Sequence, residues 1–328
     1  MKNFITILFL LSAFIAKSQI QVGSAELPQG NRSGKLTQET YEKLKFLTTT
    51  IFVLQESDSL LKSEFENALT QVWTINKFKV ILPSERIQYA NRPDCAYTSF
   101  GGYVIYRENG ARSTHIFYDL RFPKLNKNGE VEEWILISRL ALFPEDDMWE
   151  KIYNSEEFSD KVSGEETMVK LLHTIIHFRN WSPGFIKGYF KRINDLVVKG
   201  NTCGEYTEFL DLNNLKHLKT DTLYLPDYIK EDKEKKSHIV WVNLFKEKNL
   251  KVENLPFTIA FINQTKLDSM ILYRKEKFYY LTYIRSSTDK FVSIFEGTTG
   301  NLLYSKYAAV SYNFKKKDLE KIAEVISK

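Results

Sequence analysis

In both outer thirds of this chain, runs of β-branched and aromatic residues alternate with amphipathic stretches in the same order, on either side of a helical middle. In the first third, Leu47 to Leu54 reads as a strand and a helix opening at Ser57 or Asp58 follows. That helix carries Leu61, Phe65, Ala68, Leu69, Val72 and Trp73 on one face, and Phe78 to Leu82 then forms a strand stopped by Pro83. A brief helix from Ser84 leads to strands at Tyr103 to Tyr106, Thr114 to Leu120 and Trp134 to Leu142, with Asn128-Gly129 as the turn between the last two. In the last third, Thr222 to Leu225 is a strand, Ile239 to Phe245 an apolar segment, and Phe257 to Ile262 a second strand. A short helix near Thr265 to Met270, strands at Phe278 to Ile284, Phe291 to Phe295 and Leu302 to Tyr304, and a final amphipathic helix complete it.

Spacings repeat as well as order. Some 30 residues separate Thr50 from Val80 and 36 separate Leu223 from Ile259; 24 separate Val80 from Val104 and 22 separate Ile259 from Leu281. Residue identity between the thirds is slight. The expected fold class is α/β (α+β): two small mixed-sheet lobes, a diverged internal repeat, joined by a helical hairpin. The divisions are a leader at 1–18, a first lobe at 36–143, an acidic linker at 144–162, the hairpin and its connection at 163–212, and a second lobe at 213–328.

The hairpin has the clearest punctuation. Ser163 with Glu166 forms a capping box, and Met168, Leu171, Leu172, Ile175, Ile176 and Phe178 make one apolar face. Ser182 and Pro183 read as cap and first residue of the second helix, and Gly200 lies just past its end. Gly184 and Gly188 lie four residues apart on that helix and predict close packing against the first.

The start of the chain reads as a cleavable export signal: Lys2, then an apolar run from Phe4 to Ile15, then Ala16-Lys17-Ser18 with small residues where a signal peptidase reads. Cleavage is expected before Gln19. About twelve apolar residues are too few for a ~30 Å hydrocarbon core, and no later run is long enough to span one. Loss of Lys2 and Lys17 leaves 44 of the 46 basic residues against 41 acidic ones, a net charge of +3. That balance gives no reason to expect nucleic acid or an anionic membrane as partner.

Two cysteines, Cys95 and Cys203, lie in turn-rich polar contexts. In an oxidising compartment they allow one disulfide, closing a loop of roughly 100 residues and contributing up to about 4.7 kcal/mol. Two unpaired structural thiols fit the sequence equally.

Candidate chemistry is sparse. His173 and His177, at i and i+4, have the spacing of a two-imidazole metal site. Helical projection places them on the polar face, however, and Thr174 stands where a zincin carries its Glu, so solvated histidines are the expectation and no metal or cofactor is assigned. Ser182, in Trp181-Ser182-Pro183-Gly184, lacks the flanking pattern that aims a serine nucleophile, and its capping role accounts for it. Asp146-Asp147 and Glu156-Glu157 lie in the acidic linker without a calcium-loop pattern. Aromatic runs at Phe278-Tyr279-Tyr280 and Tyr103 to Tyr106 offer one strand face for stacking on sugars or peptides.

The run from Thr49 through Pro83, a strand, an amphipathic helix ending in Trp73, and Lys77-Phe78-Lys79-Val80-Ile81, is similar to the small α/β domain of bacterial envelope assembly and secretion proteins of the CsgG and TolB amino-terminal type. Glu296 to Leu303 (EGTTGNLL) resembles a strand-loop-strand ending found in a loose group of exported bacterial proteins. These resemblances imply an envelope role and no particular site residue. The expected function is therefore that of an exported soluble envelope protein, periplasmic or secreted, acting as a non-catalytic binding or assembly module toward an unknown protein or polymer. The alternative is a secreted or periplasmic hydrolase whose residues converge only in the fold.

Overall fold

We describe a computed structural model of the chain for residues 19–328, except 24–37, 90–91, 107–111, 146–147, 149–162, 175, 205–206, 231–254, 287–288, 310 and 312. Two six-stranded mixed sheets form two lobes. The first contains β1 (Ile20–Val22), β2 (Thr49–Val53), β3 (Lys77–Ile81), β4 (Cys95–Tyr106), β5 (Arg112–Leu125) and β6 (Val131–Ala141), in the order β1-β6-β5-β4-β2-β3. The second contains β7 (Phe209–Leu210), β8 (Thr222–Pro226), β9 (Thr258–Ile262), β10 (Tyr279–Ser286), β11 (Asp289–Glu296) and β12 (Leu302–Ala308), in the order β7-β12-β11-β10-β8-β9. Each strand of the second sheet takes the place of the strand six earlier. The senses match too: β2 lies parallel between β3 and β4 as β8 does between β9 and β10, and the remaining pairs are antiparallel.

Helices fill the space between and outside the sheets. They are α1 (Gln38–Phe46), α2 (Lys62–Thr70), α3 (Ser163–Thr174), α4 (Pro183–Val198), α5 (Leu212–Leu215, continued as a 3₁₀ turn over Lys216–Thr220), α6 (Gln264–Tyr273) and α7 (Lys316–Ser327). Two further 3₁₀ helices, Glu56–Leu61 and Pro83–Gln88, follow directly on the carboxyl ends of β2 and β3. Ser57 and Asp58, either of which was expected to cap the helix, lie instead inside the first 3₁₀ helix, and the Asp58 carboxylate accepts the N–H of Gln55 at 3.0 Å.

The helical middle departs from the expected hairpin. α3 lies on β4 and the first 3₁₀ helix, whereas α4 packs on α2, α6 and β1. Twelve of the sixteen residues of α4 are buried. Its Phe190 meets Phe52 of the first sheet at 4.9 Å between ring centroids, and its Tyr189 meets Phe295 of the second at 5.8 Å. One continuous core thus runs from Phe52, Phe65 and Tyr118 through α4 to Leu267, Ile271 and Tyr280. A second core lies on the far side of the second sheet, where α5 and α7 bring Leu215, Leu319 and Ile322 against Leu281 and Ile294. α1 and α5 occupy matching places in the two halves, yet α1 faces α4 and α5 faces away. The lobes are therefore stacked in the same sense, with unlike faces meeting at α4.

The two glycines of α4 serve the second lobe, not α3. A Cβ on Gly184 would lie 2.4 Å from the Asp268 carboxylate, and one on Gly188 would lie 2.6 Å from the Tyr280 hydroxyl and 3.0 Å from Phe295. The turn between β11 and β12 also lies against α4: a Cβ on Gly300 (φ +76°) would be 3.5 Å from the Cα of Gly188, in ordinary contact. Because rigid ring and backbone atoms meet there, Gly188→Ala should cost about 1–3 kcal/mol of stability, read as a lower urea midpoint at unchanged slope.

Candidate functional site

Chemistry-bearing side chains converge at the amino end of α4, where the lobes meet. Ser182 is in extended backbone before the helix, and its hydroxyl oxygen accepts the Phe185 N–H at 3.4 Å, as the sequence predicts for a cap. The same hydroxyl donates to Asp268 Oδ1 at 2.7 Å, and that oxygen also accepts the Gly184 N–H at 3.1 Å and Gln264 Nε2 at 3.0 Å. A carboxyl from α6 thus occupies the helix start, where unpaired N–H groups and the helix dipole favour negative charge. Burial dominates nonetheless and pushes Asp268 up to about 7.

Beside it, Trp181 Nε1 donates to Asp58 Oδ2 at 2.8 Å, which ties the start of α4 to the first lobe. Burial raises this carboxyl also. Gln55 Nε2 reaches the carbonyls of Leu172 and Ile176 at the end of α3, at 2.6 and 2.5 Å.

One turn further along α4, Lys187 is buried without a carboxylate bonded to it. Its Nζ donates to the carbonyls of Ile271 at 2.7 Å, Thr298 at 2.8 Å and Gly297 at 3.3 Å. Three ammonium protons meet three acceptors, one of them an orphan carbonyl in the last turn of α6. Desolvation lowers Lys187 to about 8, so it remains mostly charged at neutral pH. The Glu296 carboxylate accepts the N–H groups of Thr298 and Thr299 and the Thr299 hydroxyl, which shapes the turn that presents those carbonyls. Gly297 in that turn lies under the Phe278 ring, where no Cβ fits.

A carboxyl base, Asp268, does reach the Ser182 hydroxyl, but both residues are buried and that hydroxyl is fully engaged. Its partners are Asp268, Gln264 and the Phe185 N–H; no imidazole is among them. His173 lies elsewhere, with its ring edge-on to Phe100 at 5.1 Å between centroids. The expectation that His173 is solvated is overturned: it is 6% exposed, and burial lowers it to about 4. α3 ends at Thr174, so His177 lies beyond the helix and is exposed, and the two imidazoles share no helical face. Among the described residues, no group of three or more His, Cys, Asp or Glu side chains is placed to hold a metal ion.

The other sequence candidates are placed as follows. Cys95 and Cys203 are buried thiols, not bonded to each other: Cys95 belongs to a small cluster with Ile51, Val53 and Ile81, and Cys203 to the main core, where its backbone pairs with Val22. Phe278, Tyr279 and Tyr280 present no free stacking face, because helices cover the second sheet on both sides and bury all three. Tyr103 stacks on His115 at 4.9 Å. Asp146-Asp147, Glu156-Glu157 and Ile239 to Phe245 lie outside the described residues.

Exposed apolar residues at one end of the first sheet were not foreseen from the sequence. Leu60 is 93% exposed, Ile87 85%, and Leu61 is also exposed. They sit on the two 3₁₀ helices that follow β2 and β3. Glu56 and Glu85 hold those helices together: Glu56 accepts the Ser84 N–H at 2.6 Å, and Glu85 pairs with Lys62 at 2.7 Å. Ligands of open α/β sheets bind beyond the carboxyl ends of parallel strands, which is where these residues stand.

Compared with protein-family models, curated proteins and solved structures, the chain matches none.

Two expected outcomes follow from the junction. Asp268 binds its proton more tightly folded than unfolded (ordinary value 3.8), so its contribution to stability is complete below about 4 and fades as pH rises through about 7. Asp268→Asn should flatten that decline and exceed the parent by about 2 kcal/mol at pH 8, measured by urea unfolding at pH 5 and 8. His173→Ala should cost ~2–3 kcal/mol through the cavity beside Phe100, while His177→Ala stays within about 0.5 kcal/mol of the parent in the same assay.

Proposed function

We propose that the chain is an exported envelope protein, a diverged duplication of one α/β unit, that works by binding another protein or a polymer and performs no turnover. The observation that carries this reading is a contrast in exposure. The polar groups able to do chemistry are buried and engaged in joining the lobes, while Leu60, Leu61 and Ile87 stand in solvent beyond the carboxyl ends of β2 and β3. Exposed large apolar side chains grouped on one rigid surface mark interaction sites. The matching strand orders of the two sheets support duplication, and the resemblance of Thr49 to Pro83 to envelope assembly domains supports the compartment.

Leu60→Asp combined with Ile87→Asp should abolish recovery of a specific crosslinked partner from the native envelope while leaving the melting temperature within about 2 °C, since both side chains are exposed. Peptidase, esterase and glycosidase panels should stay silent. Turnover lost on Ser182→Ala, with the fold intact, would favour the hydrolase alternative.

A further inference from the structure

One cleft in the second lobe gathers positive charge that no described residue neutralises. On β11 and β12, Lys290 stands opposite Ala308, Val292 opposite Lys306 and Ile294 opposite Tyr304, so these side chains share the face that α7 covers with Leu319 and Ile322. Beside that packing, Lys290, Tyr304 and Lys306 from the sheet and Asp318 and Lys321 from α7 line a cleft of about 250 Å³. Three ammonium groups meet one carboxylate there.

That carboxylate is already engaged. Asp318 Oδ2 accepts Lys290 Nζ at 2.6 Å and the Lys315 N–H at 2.7 Å, and Lys290, 2% exposed, also donates to the Asn313 carbonyl at 2.9 Å. An ammonium has three protons, so one on Lys290 is left without an acceptor among the described residues. Lys306 and Lys321 are half-buried, and neither makes a hydrogen bond or ion pair among the described residues, exposed Glu208 included. Burial lowers Lys290, Asp318 opposes that effect, and the like charges of Lys315 and Lys321 lower it further. Tyr304 is 5% exposed, and burial, with Glu208 and Asp318 nearby, raises its hydroxyl, which therefore stays a donor.

We propose that this cleft is an oxyanion site that binds one phosphate group, either the free ion or the terminal group of a phosphomonoester. Donors reach it from β11, β12 and α7, an arrangement that suits a tetrahedral oxyanion better than a planar carboxylate, and the two ammonium groups without counter-ions match a dianion. The volume falls below the ~300–1,000 Å³ of pockets that enclose whole ligands, so a single group enters and the rest of any ligand stays outside. The site is on the other lobe from Leu60 and Ile87, and it stands whether or not a partner docks there.

Isothermal titration of the purified full chain with inorganic phosphate, in chloride buffer at constant ionic strength, tests this. Saturation at one phosphate per chain is expected. Lys306→Gln with Lys321→Gln should weaken binding more than about tenfold and leave the melting temperature within about 2 °C, because neither side chain is bonded in the fold. Lys77→Gln with Lys124→Gln removes the same charge from exposed positions of the first lobe and should leave binding unchanged. Glycerol phosphate as a second titrant separates the sources: tighter binding than inorganic phosphate assigns the site to a phosphomonoester, and weaker binding to the free ion. Failure to saturate, equal weakening in the two double variants, or equal binding of acetate would overturn the site.

Discussion

The structure depends on how closely α4 can approach the second lobe. Two glycines one helical turn apart bring the backbone of α4 against Asp268, Tyr280 and Phe295, at distances that no side chain would allow. That approach lets Lys187 insert its ammonium among the carbonyls of Ile271, Gly297 and Thr298, and lets Asp268 reach the start of the helix. On its other side, the same helix gives Phe190 to the ring cluster of Phe52 and Trp73. The lobes are thus joined by a shared core and by polar groups whose partners come from both.

This arrangement bears on what the protein does. A carboxyl raised toward neutrality, a lysine lowered toward it and a serine at a helix start would suggest catalysis if considered singly. Their geometry gives them another task. Each shift is caused first by burial, and each group bonds to backbone or side chains that hold α4 between the sheets. Further buried charges are also structural: Arg139 of β6 binds Asp119 of β5, and Lys290 binds Asp318 to seat α7. The chemistry-bearing residues at this junction stabilise the scaffold.

Much of the fold was legible in the sequence because its strands are β-branched and aromatic and its helices carry local punctuation. The cap at Ser182, the turn at Asn128-Gly129 and the matching order of elements in the two halves all depend on nearby residues. The edge strands β1 and β7 were not legible. They are three and two residues long and exist only because β6 and β12 offer an open edge. α1 was missed for a related reason, since only Tyr41 and Leu44 are buried on it. Burial of His173 was misjudged because helical projection assumes a single buried face, whereas α3 ends at Thr174 and turns residues 172, 173 and 176 inward together. The apolar end of the first sheet escaped notice because Leu61 was placed on the buried face of a helix, whereas it ends a 3₁₀ helix on which it and Leu60 are exposed.

The central claim is that α4 makes the two lobes one cooperative body. Native-state hydrogen exchange measured peptide by peptide tests it most directly. The account predicts that β4, β5 and β6 share one opening free energy with β10, β11 and β12, equal to that of global unfolding. Exchange of the first sheet at a markedly lower free energy, while the second stays protected, would contradict it.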